Sequence, residues 1–321
     1  LRFGINTGVR LRNKLLILFT LLVVGLAGAV LLVGLALARP FQTVIGPPPP
    51  DLDAQAVEIP SSSGSVLHGW LAAGRPGGGV VVLMHGVRAN RLAMERRAIV
   101  LKQQGFSVLL FDFQAHGESP GRHITFGHLE GLDAQAVVVY VRQRWPNEHI
   151  GAICVSLGGA AALLGPEPLK VDALVLESVF PDIHLALTDR LRARIGGFAG
   201  RAVTPLVAPV FEALLPPILG VRLDQLRPID RIGSVTAPVL VAAGTADAYT
   251  TIDEARDCSP MRPSRSNSGR SRALPMSIWK PMTAPRTGAM SSHSSSRTCG
   301  ATTFSCITIN KYNPINYGPE K

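Results

Sequence analysis

Ser156 is the residue whose setting most invites chemistry. It stands in Cys154-Val155-Ser156-Leu157-Gly158-Gly159, between an apolar run and a stretch of small residues ending at Leu164. A serine at a sharp strand-to-helix turn is the setting of a nucleophile elbow, which holds a hydroxyl out of the chain to attack a carbonyl carbon. Gly158 and Gly159 would let the following helix pack close. The usual pattern is Gly-x-Ser-x-Gly, and Cys154 stands where its first glycine belongs. That position needs a small side chain, and cysteine is small and apolar. The plain alternative is a serine that merely caps a helix.

Attack on a carbonyl creates an oxyanion, and an oxyanion needs donors. The elbow offers the backbone N–H of Leu157. A second donor is expected from the turn after the apolar run at Val80, in His85-Gly86-Val87-Arg88, and is assigned to the N–H of Val87. His85 is read as bracing that turn by hydrogen bonding rather than as catalytic, with Gly86 beside it. An acid that orients a histidine must follow the nucleophile at the end of a later strand. Asp247 in Gly244-Thr245-Ala246-Asp247 is placed for this, unless it is only a turn residue.

These residues need a frame to hold them. Residues 65–73 alternate like a half-buried strand, and Val80–His85 is the continuous apolar run of a strand covered on both faces. Helical patterns at 91–104 and 129–144 alternate with strands at 106–113 and 149–156, and two more strands follow at 172–178 and 237–244. Strands alternating with helices predict an α/β fold, a mainly parallel sheet flanked by helices, with ligands beyond the carboxyl ends of the strands. His85-Gly86, Asp112 with the Gln114–Ser119 loop, Ser156 and Asp247 all follow strands.

Together, "LMHGVRANR", "FDFQAHGES", "CVSLGG" and "AGTADAYTT" resemble the α/β-hydrolase superfamily. The likeness is to the branch of serine aminopeptidases and monoacylglycerol lipases, including membrane-tethered hydrolases similar to Bem46. It covers roughly residues 57–257. The resemblance implies a Ser-Asp-His triad, no cofactor and no metal, and hydrolysis of a small-molecule ester, thioester or amide. Residues 181–232 fall where that family inserts a cap over the site.

The family's histidine is expected about 25 to 30 residues beyond Asp247, and none is there. His293, in a serine run, has nothing around it to hold an imidazole near Ser156. His116, His123 and His128 are read as solvated-loop or helix-start residues. After Asp257 no buried strand and no hydrophobic period persist, so residues 258–321 are expected to be an aberrant, disordered tail that adds nothing to the sheet, leaving the final strand and helix missing.

A shifted reading frame explains the tail. Writing Ser264–Cys299 in GC-rich codons and reading two bases further on gives an unbroken strand, Gly-x-x-His turn and amphipathic helix. Met276-Ser277-Ile278-Trp279 becomes His-Val-Asp-Leu through the single Met and Trp codons. The chain as written is therefore expected to be nearly inactive. A non-catalytic, membrane-tethered binding protein of the same fold is the alternative.

From Leu15 to Ala38 no residue is charged. A helix of that length reaches roughly 36 Å, enough to cross a ~30 Å hydrocarbon core as one transmembrane helix. Residues 1–14 carry Arg2, Arg10, Arg12 and Lys14, so this basic segment is expected in the cytoplasm and the rest on the outer, periplasmic or extracellular side. Ala36-Leu37-Ala38 leaves a cleaved signal peptide as the alternative, although the run exceeds the roughly 7 to 15 residues of a signal core. Residues 39–56, with Pro47–Pro50, read as a stiff linker holding the domain off the membrane.

The chain has 321 residues and a net charge of +10, but residues 258–321 carry nine basic residues and one acid. The patterned part is nearly neutral, which argues against a nucleic-acid partner. Only Cys154 of the four cysteines lies in patterned sequence, so no disulfide framework or zinc spacing is present.

Overall fold

The computed structural model describes residues 5–244, 294–299 and 302–309. In chain order the elements are α1 (Ile5–Ala38), β1 (Phe41–Gln42), β2 (Gln55–Pro60), β3 (Val66–Ala72), β4 (Val80–Met84), α2 (Glu95–Gln103), β5 (Ser107–Phe111), β6 (His116–Gly117) and α3 (His128–Arg144). They continue with β7 (Ile150–Val155), α4 (Leu157–Leu164), β8 (Ala173–Glu177), α5 (Ile183–Ile195), α6 (Gly197–Leu219), α7 (Ile229–Ile232), β9 (Val239–Gly244), β10 (Ser294–Cys299) and β11 (Thr302–Ile309).

Nine strands form one sheet in the order β10-β11-β9-β8-β7-β4-β5-β3-β2. From β5 through β9 to β11 the pairs are parallel, while β2, β3 and β10 run antiparallel to their neighbours. All five residues of β4 and all five of β5 are buried, because helices cover both faces of the sheet. On one face Val137, Val141 and Ala161 from α3 and α4 pack on Val82, Met84 and Cys154. On the other, Ala98 and Leu101 of α2 pack on Val81, Leu83 and Val108.

The chain leaves β4 for β5 on one side and returns to β7 on the other. Neighbouring connections therefore diverge at the carboxyl ends of β4 and β7, where a crevice opens. Both the 85–88 turn and Ser156 lie there.

At one edge of the sheet β11 pairs parallel with β9, from Phe304 opposite Val239 to Ile309 opposite Gly244. Residues 302–309, Thr-Thr-Phe-Ser-Cys-Ile-Thr-Ile, are rich in strand-forming types, and the edge of β9 presents unpaired backbone groups that template such a partner. The segment after α1 runs along the folded domain. Phe41 and Thr43 N–H donate to the Ala115 and Gly117 carbonyls at 2.7 and 2.8 Å, and Ile45 and Gly46 N–H both donate to Glu118. Backbone donors against a folded surface find acceptors, and these lie about 70 residues away in sequence.

The 181–232 stretch forms two long helices, α5 and α6, over the sheet. Asp182 caps α5 by accepting the Leu185 N–H at 2.9 Å and pairs with Arg227 at 3.0 Å, tying both ends of the insertion together. Gly220, in the left-handed region at φ 67°, ends α6.

Candidate active site

Ser156 sits between β7 and α4 with φ 49° and ψ −106°. A side-chain-bearing residue in such a region costs on the order of 1–3 kcal/mol, and strain of that kind collects at functional sites. Its surroundings hold it there. The Ser156 N–H donates to the Glu177 carbonyl at 2.8 Å, and its own carbonyl accepts from Gly159 and Ala160 N–H at 3.0 Å. The side chain is partly exposed and does not cap the helix. Among the described residues no group hydrogen-bonds its hydroxyl.

The helix after Ser156 is pressed against β4. A Cβ on Gly158 would stand 2.7 Å from the Met84 Cβ and 2.8 Å from its carbonyl oxygen, and one on Gly159 would stand 2.0 Å from Val179 Cγ2. Gly158→Ala is therefore expected to lower stability by about 1–3 kcal/mol, because the obstacle is strand backbone that cannot rotate away. Thermal unfolding at matched pH measures this; an unchanged midpoint contradicts it.

Cys154, where a glycine is usual, is fully buried with its Sγ 3.6 Å from Met84 Sδ. Burial pushes its thiol above the ordinary range, which keeps it an apolar filler rather than a nucleophile.

The turn after β4 lies against the serine: a Cβ on Gly86 would be 3.7 Å from the Ser156 Cβ. Among the described residues, neither the Val87 N–H nor the Leu157 N–H is engaged in a hydrogen bond. His85 is fully buried, donating from Nδ1 to the Gly86 carbonyl at 2.7 Å and accepting the Phe113 N–H on Nε2 at 3.1 Å. Both ring nitrogens are thus spent on the two loops that flank the crevice.

Burial, with His116 adding to it, pushes the His85 pKa down to about 3. The unfolded chain takes up a proton near 6.5 while the folded one does not. This contribution to stability is full above about 6.5 and is lost as pH falls toward 3. The buried Asp133 carboxyl, pushed up to about 6, works in the opposite direction, so the test is a difference. Between pH 7 and pH 5, urea unfolding of the parent should lose about 2 kcal/mol more than His85→Asn does. Equal losses would refute it.

Supports that the sequence reading missed lie in the next layer. Arg91 bridges Asp112 and Glu118 while its guanidinium lies 4.8 Å over the Trp70 ring. The Arg91 N–H also donates to Asp112 Oδ1 at 2.7 Å. Glu130, fully buried, accepts from Gln114 Nε2, Thr125 Oγ1 and the Thr125 and Gly127 N–H groups, fixing the loop into α3. A buried-charge signal did exist, since Asp112 and Glu130 stand in apolar surroundings, but it did not name Arg91.

His116 is not in a solvated loop, as expected, but fully buried, with Nδ1 on the Gln114 carbonyl at 2.9 Å and its ring 5.1 Å from His85. β1 and the 113–120 loop enclose it. His123 reaches the Leu219 carbonyl at 3.0 Å and His128 opens α3. Asp247 and His293 lie outside the described residues.

The family described as serine aminopeptidase, S33, matches residues 76–216, which takes in the 85–88 turn, Ser156 and most of residues 181–232. A solved structure of a Pyrococcus furiosus esterase superposes with a TM-score of 0.54 at 24% identity, covering 70% of this chain and 83% of that one. The chain has the α/β-hydrolase fold. Its fold and the matched stretch are similar to those of serine hydrolases.

Among curated relatives, this chain is 26% identical to the Bacillus subtilis protein YqkD over 207 residues, 63% of this chain and 66% of YqkD. It is 32% identical to human ABHD12B over 145 residues, 40% of this chain and 38% of that protein. The chain thus spans less than two thirds of the length of these two relatives.

Proposed function

We propose that this chain is a membrane-anchored serine hydrolase that cleaves a small-molecule ester, thioester or amide through an acyl-enzyme. The Ser156 backbone carries the reading: a strained serine at the switch point of the sheet, beside two N–H groups that have no other partner among the described residues.

In the proposed reaction Ser156 Oγ bonds to the substrate carbonyl carbon while an imidazole takes the hydroxyl proton. The carbonyl electron pair moves to oxygen, where the Val87 and Leu157 N–H groups stabilise it. Collapse expels the leaving group, which receives the proton from the imidazolium, and water cleaves the acyl-enzyme by the same steps. Asp247 orients the imidazole. The histidine is supplied by the reading frame that the tail after Asp257 has lost, so the chain as written turns over slowly. Residues 15–38 of α1 span the bilayer, with residues 1–14 in the cytoplasm and the hydrolase domain on the outer side; α1 is long and apolar enough for this.

A second reading, a tethered binding protein with the same crevice, is favoured by one observation: among the described residues no imidazole reaches the Ser156 hydroxyl. Fluorophosphonate labelling separates the two. The frame-restored chain should be labelled at Ser156 and its Ser156→Ala variant not at all; an unlabelled restored chain establishes the binding reading instead.

A further inference from the structure

The outer end of α1 is built into the cap. Leu26, Val30, Leu37 and Ala38 recur at helical spacing and join Phe211, Leu215 and Leu219 of α6 in one apolar cluster. At Gly34 the helices approach so closely that a Cβ would stand 2.8 Å from Ile218 Cδ1 and 3.5 Å from Leu215 Cδ2. In the last turn of α1 the Ala38 carbonyl accepts the Ile124 N–H at 2.7 Å, and Arg88 Nη1 donates to the Ala36 carbonyl at 3.1 Å. From Leu15 to Val24, by contrast, the helix carries its apolar side chains exposed.

Length then constrains where the bilayer ends. Leu15 to Leu26 rises only about 17 Å, little more than half of a ~30 Å hydrocarbon core. Tilting the helix shortens that reach further. If α1 spans the bilayer, the outer boundary must lie well beyond Leu26, and the stretch that touches α6 is inside the outer leaflet.

The chemistry of α6 suits that position. Between Ala202 and Leu219 its single charged residue is Glu212, which is paired with His184 of α5 at 2.6 Å. It also carries Pro205, Pro209, Pro216 and Pro217, a residue type more frequent in membrane helices than in soluble ones.

We infer that α6 lies in the outer leaflet beside α1, so that the cap is a second membrane-contacting element and its partner surface is lipid hydrocarbon. This rests on the anchored reading proposed above. One consequence concerns the site: Val87 and Ala160, which flank Ser156, belong to the same apolar cluster, so the crevice faces acyl chains rather than bulk water.

The test uses the full chain in phosphatidylcholine vesicles containing a phospholipid with a diazirine at the end of one acyl chain. After irradiation and trypsin, adducts are mapped by mass spectrometry. Adducts are expected both on the peptide that begins at Leu15 and on the peptide Ala202–Arg222. Adducts on the first peptide alone overturn the inference while leaving the anchor standing. Adducts on neither overturn both. Photolabelling needs no turnover, so an inert Ser156 leaves the result readable and a failure of the hydrolase reading distinguishable.

Discussion

A chain whose C-terminal frame is restored after Asp257 is expected to hydrolyse p-nitrophenyl esters, and Ser156→Ala in that chain to lower kcat on the order of 10⁶-fold. The size follows from cooperation. Removing the nucleophile disables the base and the acid with it, because neither has a bond to make or break without the acyl-enzyme. The chain as written is expected to keep at most the residual ~10³–10⁴-fold advantage over water that oxyanion donors and binding supply. Three proteins thus separate the elements of the proposal: restored, restored with Ser156→Ala, and unrestored. Turnover that survives Ser156→Ala would place the nucleophile elsewhere. Equal turnover in the restored and unrestored chains would remove the shifted frame from the account.

Arg91→Ala should destabilise the domain by about 3–5 kcal/mol, because it leaves a buried carboxylate without its partner. Side-chain exposure is 3% at Arg91 and 0% at Asp112, so water cannot replace the guanidinium. Burial already pushes the Asp112 pKa up, with Arg91 and the surrounding N–H donors opposing it. Loss of Arg91 also frees Glu118, which holds Ile45 and Gly46, so the segment after α1 should loosen together with the 113–120 loop. Against a total stability of 5–15 kcal/mol for an ordinary domain, the change should be plain in denaturant midpoints. A loss under 1 kcal/mol would show that the cluster is dispensable. Hydrogen exchange at Phe41 and Thr43 reports on the segment after α1 separately from global unfolding.

The sequence by itself determined the alternation of buried strands and helices, the turn on which Ser156 stands and the long apolar helix. Each is written in a run of 5 to 20 neighbouring residues, as a period or a local exception to one. Cys154 is the instructive case: the motif is incomplete in letters, yet the position asks only for a small apolar side chain, and the fold is unaffected.

Tertiary structure alone decided which groups meet. That Arg91 joins Asp112 and Glu118, that His116 is enclosed, that residues 41–46 lie along the 113–120 loop, and that α1 packs on α6 all depend on partners 20 to 190 positions apart, with no local period to announce them. β11 belongs with these, since its strand-forming residues acquire a place only where β9 leaves an open edge. The physical reason is common to them. A backbone donor, a buried charge or an apolar face states a demand in the sequence, but what satisfies it is whatever the folded sheet brings within about 3 Å for a hydrogen bond and about 4 Å for an apolar contact.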